Sequence, residues 1–201
     1  MSFPTCNREV GRKREILQIG DPDLRRRADP VDPADVTGSR VQELIDDLVC
    51  SMRAAGGAGL AATQVGEPLR VCVIEVEDNP RYPYKPRIPL TVLVNPTWTA
   101  LTAERFRNNE GCLSVPGMRG DVERFTSIEI EALDRDGSPL RFTVGGLSAG
   151  TFQHECDHLD GLLFVDRLVD SLSLSTWDNF NRHRREEYLV RVAELVARYG
   201  Q

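Results

Sequence analysis

Two histidines four residues apart, in the segment HECDH at residues 154–158, constrain this chain more than any other feature of its sequence. On an α-helix such residues lie on one face, one turn apart, so both imidazoles reach a single metal ion. Glu155 is rotated by about 100° from the first histidine, which leaves its carboxylate beside the metal as a candidate general base. The chain must therefore fold so that one helix presents this face to a metal site.

Two histidines leave that site incomplete, because a catalytic site of this kind has three protein ligands and one position for water. An extended protease motif would place a third histidine six residues after the second, but Phe164 stands there. The remaining histidine, His183, lies in a polar, basic run and is expected to face solvent. The third ligand is then either a thiolate or a downstream carboxylate, the candidates being Asp166, Asp170 and Glu187. A thiolate-ligated hydrolase, a carboxylate-ligated endopeptidase and a binding module with a structural metal all remain open.

Among the five cysteines, Cys112 is the strongest ligand candidate. It lies in EGCLSVPG at residues 110–117, and such glycines and proline are typical of backbone that approaches a ligand closely. Cys50 and Cys72 fall in a predicted helix and strand and fit small buried hydrophobic residues better. Cys156 points away from the face that the histidines share. Because the cysteines are odd in number and irregularly spaced, we expect reduced thiols.

The composition argues against partners that are bound by charge. The 201 residues include 25 basic and 31 acidic side chains, a formal net charge of −6, which disfavours a nucleic-acid coat and an anionic membrane surface. No apolar run approaches the roughly 18 residues that span a bilayer, and the N-terminus lacks the apolar core of a signal peptide. We therefore expect a cytoplasmic protein that binds neither DNA nor a membrane.

Hydrophobic spacing predicts an α+β fold in a single domain. Apolar residues recur with helical spacing from Val41 to Met52, from Leu147 to Leu159 and from Tyr188 to Tyr199. Alternating or β-branched runs predict strands at residues 69–77, 90–95, 127–132 and 140–144, the last two as a hairpin. The prediction is a set of antiparallel or mixed β-sheets around a central metal-binding HExxH helix, with an N-terminal and a C-terminal helix.

Three segments, in this order, resemble the signature motifs of the peptide deformylases: GAGLAATQ at residues 57–64, EGCLS at 110–114 and HECDH at 154–158. A helix cap and a tight turn would explain the first segment alone, but EGCLS together with QHECDH is highly specific. The resemblance covers about residues 14–170. It implies a metal-dependent hydrolase that removes the N-terminal formyl group from formyl-methionyl peptides of nascent proteins and releases formate.

The resemblance also implies roles for individual residues. Glu155 would be the catalytic acid–base, and the oxyanion donors would be the Gln64 side chain and the backbone N–H of Leu113. Gly59 would hydrogen-bond the substrate's main chain, and Arg119 lies in the matching strand-edge segment beside the peptide. The family's three metal ligands map onto Cys112, His154 and His158.

The pocket for the first substrate side chain is expected to depart from that of many relatives. Gly150 and Thr151 occupy the pocket-facing turn before the metal-binding residues of the helix, where a larger residue is expected at the first position. Ala58 is also small, so the pocket is expected to be wide or reshaped, which weakens the expectation of a strict preference for methionine. The asparagine pair at residues 108–109 offers no apolar wall.

The resemblance implies one divalent metal ion, Fe(II) in the cell, with Zn, Ni or Co able to occupy the site; one thiolate and two imidazoles suit several of these metals. We expect a polar arm over residues 1–12, a metal-dependent deformylase domain over 13–170 and a C-terminal amphipathic helix packed on it over 171–201. That tail carries an arginine cluster, a candidate contact for ribosomal RNA, at Arg182, Arg184 and Arg185.

Overall fold

The computed structural model of the chain describes residues 11–77 and 83–199. Most of the predicted arm at residues 1–12 and part of the loop that follows the first long strand lie outside these ranges. The helices of the described part are α1 (Ser39–Ala54), α2 (Gly146–Leu159), α3 (Trp177–His183) and α4 (Arg185–Tyr199). Its strands are β1 (Gly59–Ala61), β2 (Val71–Val76), β3 (Ile88–Ala100), β4 (Arg105–Cys112), β5 (Val115–Phe125), β6 (Ser127–Leu133), β7 (Pro139–Gly145) and β8 (Ser175–Thr176).

The strands form two antiparallel sheets. One has the order β1-β2-β3-β6-β7 and the other the order β4-β5-β8. The hairpin expected at residues 127–144 is present as β6 and β7, paired from Ser127 with Gly145 to Leu133 with Pro139. The predicted α+β class in one domain is confirmed.

Helix α2 lies at the centre of the molecule, and nearly all of its residues are buried. It begins directly after β7 at Gly146, whose φ of 57° is a conformation that glycine adopts without strain. The amide of Gln153 then fixes α2 to β5, since it donates to the carbonyl of Phe125 and accepts from the backbone N–H of the same residue, at 3.0 and 3.1 Å. Near the other end, Thr63 donates to the carbonyl of His158 at 3.0 Å. These bonds set where the face of α2 that carries His154 and His158 points.

Helix α1 has the apolar stripe that its sequence predicted. The stripe packs with β1 and β2 in one buried cluster that includes Ile45, Leu48 and Leu60. Burying this stripe provides most of the stabilisation of such a helix, because an isolated helix of this length is marginal in water. Cys50 of α1 is disulfide-bonded, so the expectation of reduced thiols is wrong at this position. Helical spacing in a sequence shows which face of a helix is buried. It does not show whether a cysteine on that helix forms a disulfide bond.

The β4–β5 hairpin was not predicted from the sequence. Its two strands pair over eight positions, from Arg105 with Phe125 to Cys112 with Val115. The hairpin buries polar side chains, including Asn109 and Asp121, which are hydrogen-bonded to each other at 2.7 Å. A buried face made of paired polar residues does not produce the apolar alternation by which strands are recognised.

The C-terminal segment differs from the single helix that was expected. After a 3₁₀ turn, β8 pairs with β5 between Met118 and Thr176, and the Thr176 hydroxyl then caps α3 by accepting from a backbone N–H. Helices α3 and α4 pack on the domain through Phe180 and Tyr188, which are buried against Leu147 of α2. No helix among the described residues is long and apolar enough to cross a bilayer.

Candidate metal centre

Two elements that are distant in sequence bring together three side chains that could hold a metal ion. His154 and His158 project from the same face of α2, and Cys112 stands at the end of β4. The Nε2 atoms of the histidines are 3.2 Å apart, and the Cys112 Sγ lies 3.3 Å from Nε2 of His158. All three ligand atoms lie within 4.8 Å of one another.

These distances fit a single tetrahedral ion. With metal–nitrogen bonds of about 2.05 Å and a metal–sulfur bond of about 2.3 Å, two nitrogens should be about 3.3 Å apart and a sulfur and a nitrogen about 3.6 Å apart. The observed separations of 3.2 and 3.3 Å are close to both values. The donor set, one thiolate and two imidazoles, also leaves a fourth position for water or substrate.

Glu110 orients the first histidine. Its carboxylate accepts a hydrogen bond from Nδ1 of His154 at 2.8 Å, which leaves the lone pair of Nε2 directed at the cluster. Burial by itself would raise the pKa of Glu110, but the Arg124 guanidinium, which donates to both carboxylate oxygens at 2.8 Å, lowers it well below its usual value. Arg124 also donates to Asp157 of α2 at 2.6 Å, so β4, β5 and α2 are joined by one buried charge network.

Glu155 lies next to the metal-binding cluster and lines the same pocket. It is buried, its Oε2 has no hydrogen-bond partner among the described residues, and burial raises its pKa to about 7. Gly59 of β1 borders it so closely that a Cβ at that position would lie 2.3 Å from the Glu155 Oε1. A glycine is therefore required where β1 passes the carboxylate.

Gln64 faces the cluster from the turn that follows β1. Its Nε2 donates to the Ser114 hydroxyl at 3.0 Å and lies 3.5 Å from the sulfur of Cys112, while its Oε1 accepts from the backbone N–H of Ala61 at 2.9 Å. The last bond fixes the amide so that its nitrogen points toward the site. Leu113, which follows the cysteine, lines the same pocket.

The other candidates for the third ligand are not part of the cluster. Among the described residues the group that could hold a metal ion consists of Cys112 and the two histidines, with no carboxylate. Asp166 is instead hydrogen-bonded to Arg25 and, at 2.8 Å, to the backbone N–H of Leu163. Burial raises the pKa of Asp166, but these bonds outweigh it and lower the pKa below its usual value. Cys156 is buried on another side of α2, and His183 is exposed.

The proposed substrate residues line one pocket. Arg119 is among them, but its position in the sheet differs from the strand edge that was expected. The pocket includes Gly59, Ala58, Gly150 and Thr151 together with the cluster. Arg119 does not lie on a strand edge, because β5 is paired at this residue with β4 on one side and β8 on the other. Its guanidinium is buried, stacked on the rings of Trp177 and Phe180 with its Cζ 4.1 and 4.7 Å from their centroids. The sequence did not show α3, whose aromatic residues cover this side chain.

Three residues of the site were given no role from the sequence. Glu110 belongs to the EGCLS motif, and its place two residues before the candidate ligand Cys112 was the available signal. Arg124 and Lys85 gave none, because a lone basic residue in a strand or a loop is usually solvated. In the structure Arg124 is buried and Lys85 lines the pocket.

Comparison with known proteins gives matches over most of the chain. The family model described as polypeptide deformylase matches residues 13–173. Peptide deformylase 1 of Prochlorococcus marinus (strain MIT 9313) is 48% identical over 161 residues, which is 80% of this chain and 83% of that protein.

Solved structures agree. The class I type b peptide deformylase from Acinetobacter baumannii with Met-Ala-Ser bound superposes with a TM-score of 0.75 at 35% identity, covering 78% of this chain and 98% of that one. A peptide deformylase from Synechococcus elongatus in complex with actinonin gives a TM-score of 0.70 at 32% identity, covering 92% and 85% of the two chains.

Proposed function

Because this chain belongs to the peptide deformylase family, we propose that the cluster of Cys112, His154 and His158 is its catalytic metal site. The protein is a metal-dependent hydrolase that removes the N-terminal formyl group from formyl-methionyl peptides of nascent proteins and releases formate. The observation that supports the proposed site is the approach of the three ligand atoms to within 4.8 Å, beside the buried carboxylate of Glu155.

The chemistry follows from the parts of this site. A divalent ion held by the three ligands supplies a Lewis acid that polarises the formyl carbonyl and lowers the pKa of water. Glu155 takes the proton of the attacking water and later delivers it to the departing amine. The Gln64 amide and the backbone N–H of Leu113 stabilise the oxygen as it becomes negative, about 3–4 kcal/mol for one good donor.

The residues around the peptide bind it and limit which acyl groups fit. The Gly59 backbone hydrogen-bonds the main chain of the peptide, and Arg119 lies beside the peptide. Gly150, Thr151 and Ala58 line the place of its first side chain. The site is cramped on the Glu155 side, because an added carbon at Gly59 would collide with the carboxylate. A formyl carbon, which carries only hydrogen, fits there and a bulkier acyl group is excluded.

Formate release from formyl-Met-Ala-Ser tests this assignment. Glu155→Gln should lower kcat by about 10²–10⁴-fold, the contribution of a positioned acid–base group. Cys112→Ala should lose the bound metal, measured by elemental analysis of the purified protein. The matched control is Cys156→Ala, which removes a buried thiol outside the cluster and should keep the metal. Full activity of Glu155→Gln, or retention of metal by Cys112→Ala, would contradict the assignment.

We further propose Fe(II) as the ion in the cell, with Zn, Ni or Co able to replace it. The thiolate–iron pairing makes the enzyme sensitive to oxygen. Protein purified without air should contain iron and lose activity over hours in air. Equal activity of anaerobic and air-exposed protein would contradict iron as the ion.

We also propose that the enzyme acts in the cytoplasm and that its tail contacts ribosomal RNA through Arg182 and Arg185. Arg184 is less available, because it donates to the carbonyls of Leu172 and Ser173. The double variant Arg182→Gln/Arg185→Gln in the full chain should weaken co-sedimentation with ribosomes. Unchanged co-sedimentation would remove the tail as a contact.

A further inference from the structure

A chain of hydrogen bonds joins helix α4 to the first histidine of the cluster. The Tyr188 hydroxyl donates to Oδ1 of Asn108 at 2.9 Å, and Nδ2 of Asn108 donates to Oε1 of Glu110 at 3.0 Å. The other carboxylate oxygen of Glu110 accepts from Nδ1 of His154 at 2.8 Å. Tyr188, Asn108 and Glu110 are all buried. Three hydrogen bonds therefore connect the C-terminal helix to a side chain of the proposed metal site.

Asn108 completes the set of donors around the Glu110 carboxylate. Arg124 donates one hydrogen bond to each carboxylate oxygen, His154 adds a second to Oε2, and Asn108 adds a second to Oε1. A carboxylate has about four acceptor positions, so these bonds fill them. Partners of this kind, beyond the ligands themselves, fix the ring orientation of a metal-binding histidine. Loss of the Asn108 bond should therefore loosen the support of His154.

Tyr188 keeps the Asn108 amide in this place. Asn108 lines the pocket, so an amide oxygen without a donor would gain by turning toward the water there, because a buried unpaired acceptor is costly. That turn would take Nδ2 away from Glu110. Burial raises the pKa of Tyr188 well above its usual value, so the hydroxyl keeps the proton that it donates to Asn108.

The packing of α4 fixes the position of the Tyr188 hydroxyl. The Tyr188 ring meets the rings of Tyr84 and Phe180 edge-on, with centroids 5.3 and 5.7 Å away, and lies in one buried cluster with Leu147 of α2. Tyr84 is also a hydrogen-bond partner of Tyr188. Helix α4 begins at Arg185, beyond the residues that the family model matches. This support of the site thus comes from a part of the chain outside the matched range.

We propose that Tyr188 is a positioning residue of the metal site, which acts through Asn108 and Glu110 to hold His154 in the orientation that binds the ion. The proposal rests on the function proposed above, because it assigns Tyr188 a role toward the metal of that site. Tyr188 contacts neither the ligand atoms nor the substrate in this role. Removing its hydroxyl should therefore weaken metal binding by the folded protein, which a role in packing alone would not do.

The test measures the dissociation constant of zinc for the full chain by competition with a chelator. Asn108→Ala removes a donor from Glu110 and should raise this constant by about tenfold, the lower end of the range for such outer partners. Tyr188→Phe keeps the ring and should raise it by more than about twofold, but by no more than Asn108→Ala does. The double variant should bind zinc as Asn108→Ala does, because the two side chains act along one path.

Tyr199→Phe is the matched control, since it removes a hydroxyl from the same helix that lies 3.4 Å from Glu104 at the surface. Val192→Ala controls for loosened packing, because it removes apolar atoms from the buried cluster that contains Tyr188. Both controls should keep the zinc constant within about twofold of wild type, and circular dichroism checks that every variant is folded. The proposal would be overturned by a wild-type constant in Tyr188→Phe, by multiplied effects in the double variant, or by an equal effect of Val192→Ala.

An activity measurement on the same preparations separates this proposal from the proposed function. If Tyr188→Phe and Asn108→Ala weaken zinc binding as expected while no formyl peptide releases formate, the positioning role stands and the proposed function fails. If formyl-Met-Ala-Ser is hydrolysed while both variants bind zinc as the wild type does, the function stands and the positioning role fails. A wild type that binds no zinc would overturn both.

Discussion

Replacing Gly59 by alanine should lower kcat by about 10²-fold while leaving the enzyme folded. The new Cβ would lie 2.3 Å from Oε1, 2.4 Å from Cδ and 2.7 Å from Cγ of Glu155. Ordinary contact needs about 3.4 Å, so the carboxylate must move by about 1 Å. The strand cannot move instead, because Gly59 is paired with Ile74 of β2 and the next residues of β1 are fully buried.

The expected loss follows from this displacement. A misplacement of about 1 Å of a catalytic group costs about 10²-fold in rate, or about 2.7 kcal/mol. The unfolding free energy should change by less than about 1 kcal/mol, because the atoms that yield belong to one flexible side chain. The assay is kcat for formyl-Met-Ala-Ser together with urea unfolding of the same preparation.

Gly137→Ala is the matched control. Gly137 has a φ of 79° in the turn between β6 and β7, and the nearest atom to an added Cβ is 3.8 Å away. This variant should lose about 1 kcal/mol of stability, because alanine is strained at that φ, with kcat unchanged. A folded Gly59→Ala enzyme with kcat within threefold of wild type would refute the geometric argument.

Three further substitutions test the packing around the site. Asp157→Asn removes a charge that faces the buried Arg124 and should cost about 1–3 kcal/mol in urea unfolding, since Arg124 keeps its pair with Glu110; unchanged stability would contradict the network. Tyr188→Phe leaves the oxygen of Asn108 without its donor and should cost about 1–3 kcal/mol, so equal stability in thermal unfolding would argue against that bond. Since the pKa of Asp166 is lower in the folded state than in the unfolded state, its ion pair stabilises the fold at neutral pH and is lost in acid. Asp166→Asn should therefore be less stable than wild type at pH 6 by under about 1 kcal/mol, the pair being partly exposed, and the difference should vanish as the pH falls through the folded pKa. A difference independent of pH in urea titrations would contradict this sign.

Helices α1, α2 and α4 and four strands of the five-stranded sheet could be predicted from apolar spacing, whereas β1 and α3 were not predicted. The stripe of α1 and the β-branched run of β2 show the spacings of their structures directly. The β4–β5 hairpin could not, because its buried side chains are polar and paired with one another. The break between α3 and α4 also left no periodic signal, since α3 is only seven residues long.

The residues of the candidate site also fall into those that the sequence predicted and those that it did not. The histidines and Glu155 follow from helical geometry, whereas the choice of Cys112 over a carboxylate needed the family resemblance, because spacing within one helix says nothing about a residue 42 positions earlier in the sequence. Lys85 comes from a loop and reaches the pocket only through the tertiary fold.

The proposed function depends most on one sulfur and two imidazole nitrogens binding the same ion. X-ray absorption at the zinc edge of the zinc-loaded protein measures this directly. We predict one sulfur neighbour at about 2.3 Å and nitrogen or oxygen neighbours at about 2.0–2.1 Å, with the sulfur shell absent from Cys112→Ala. A wild-type spectrum with nitrogen and oxygen neighbours alone would contradict the proposed metal site.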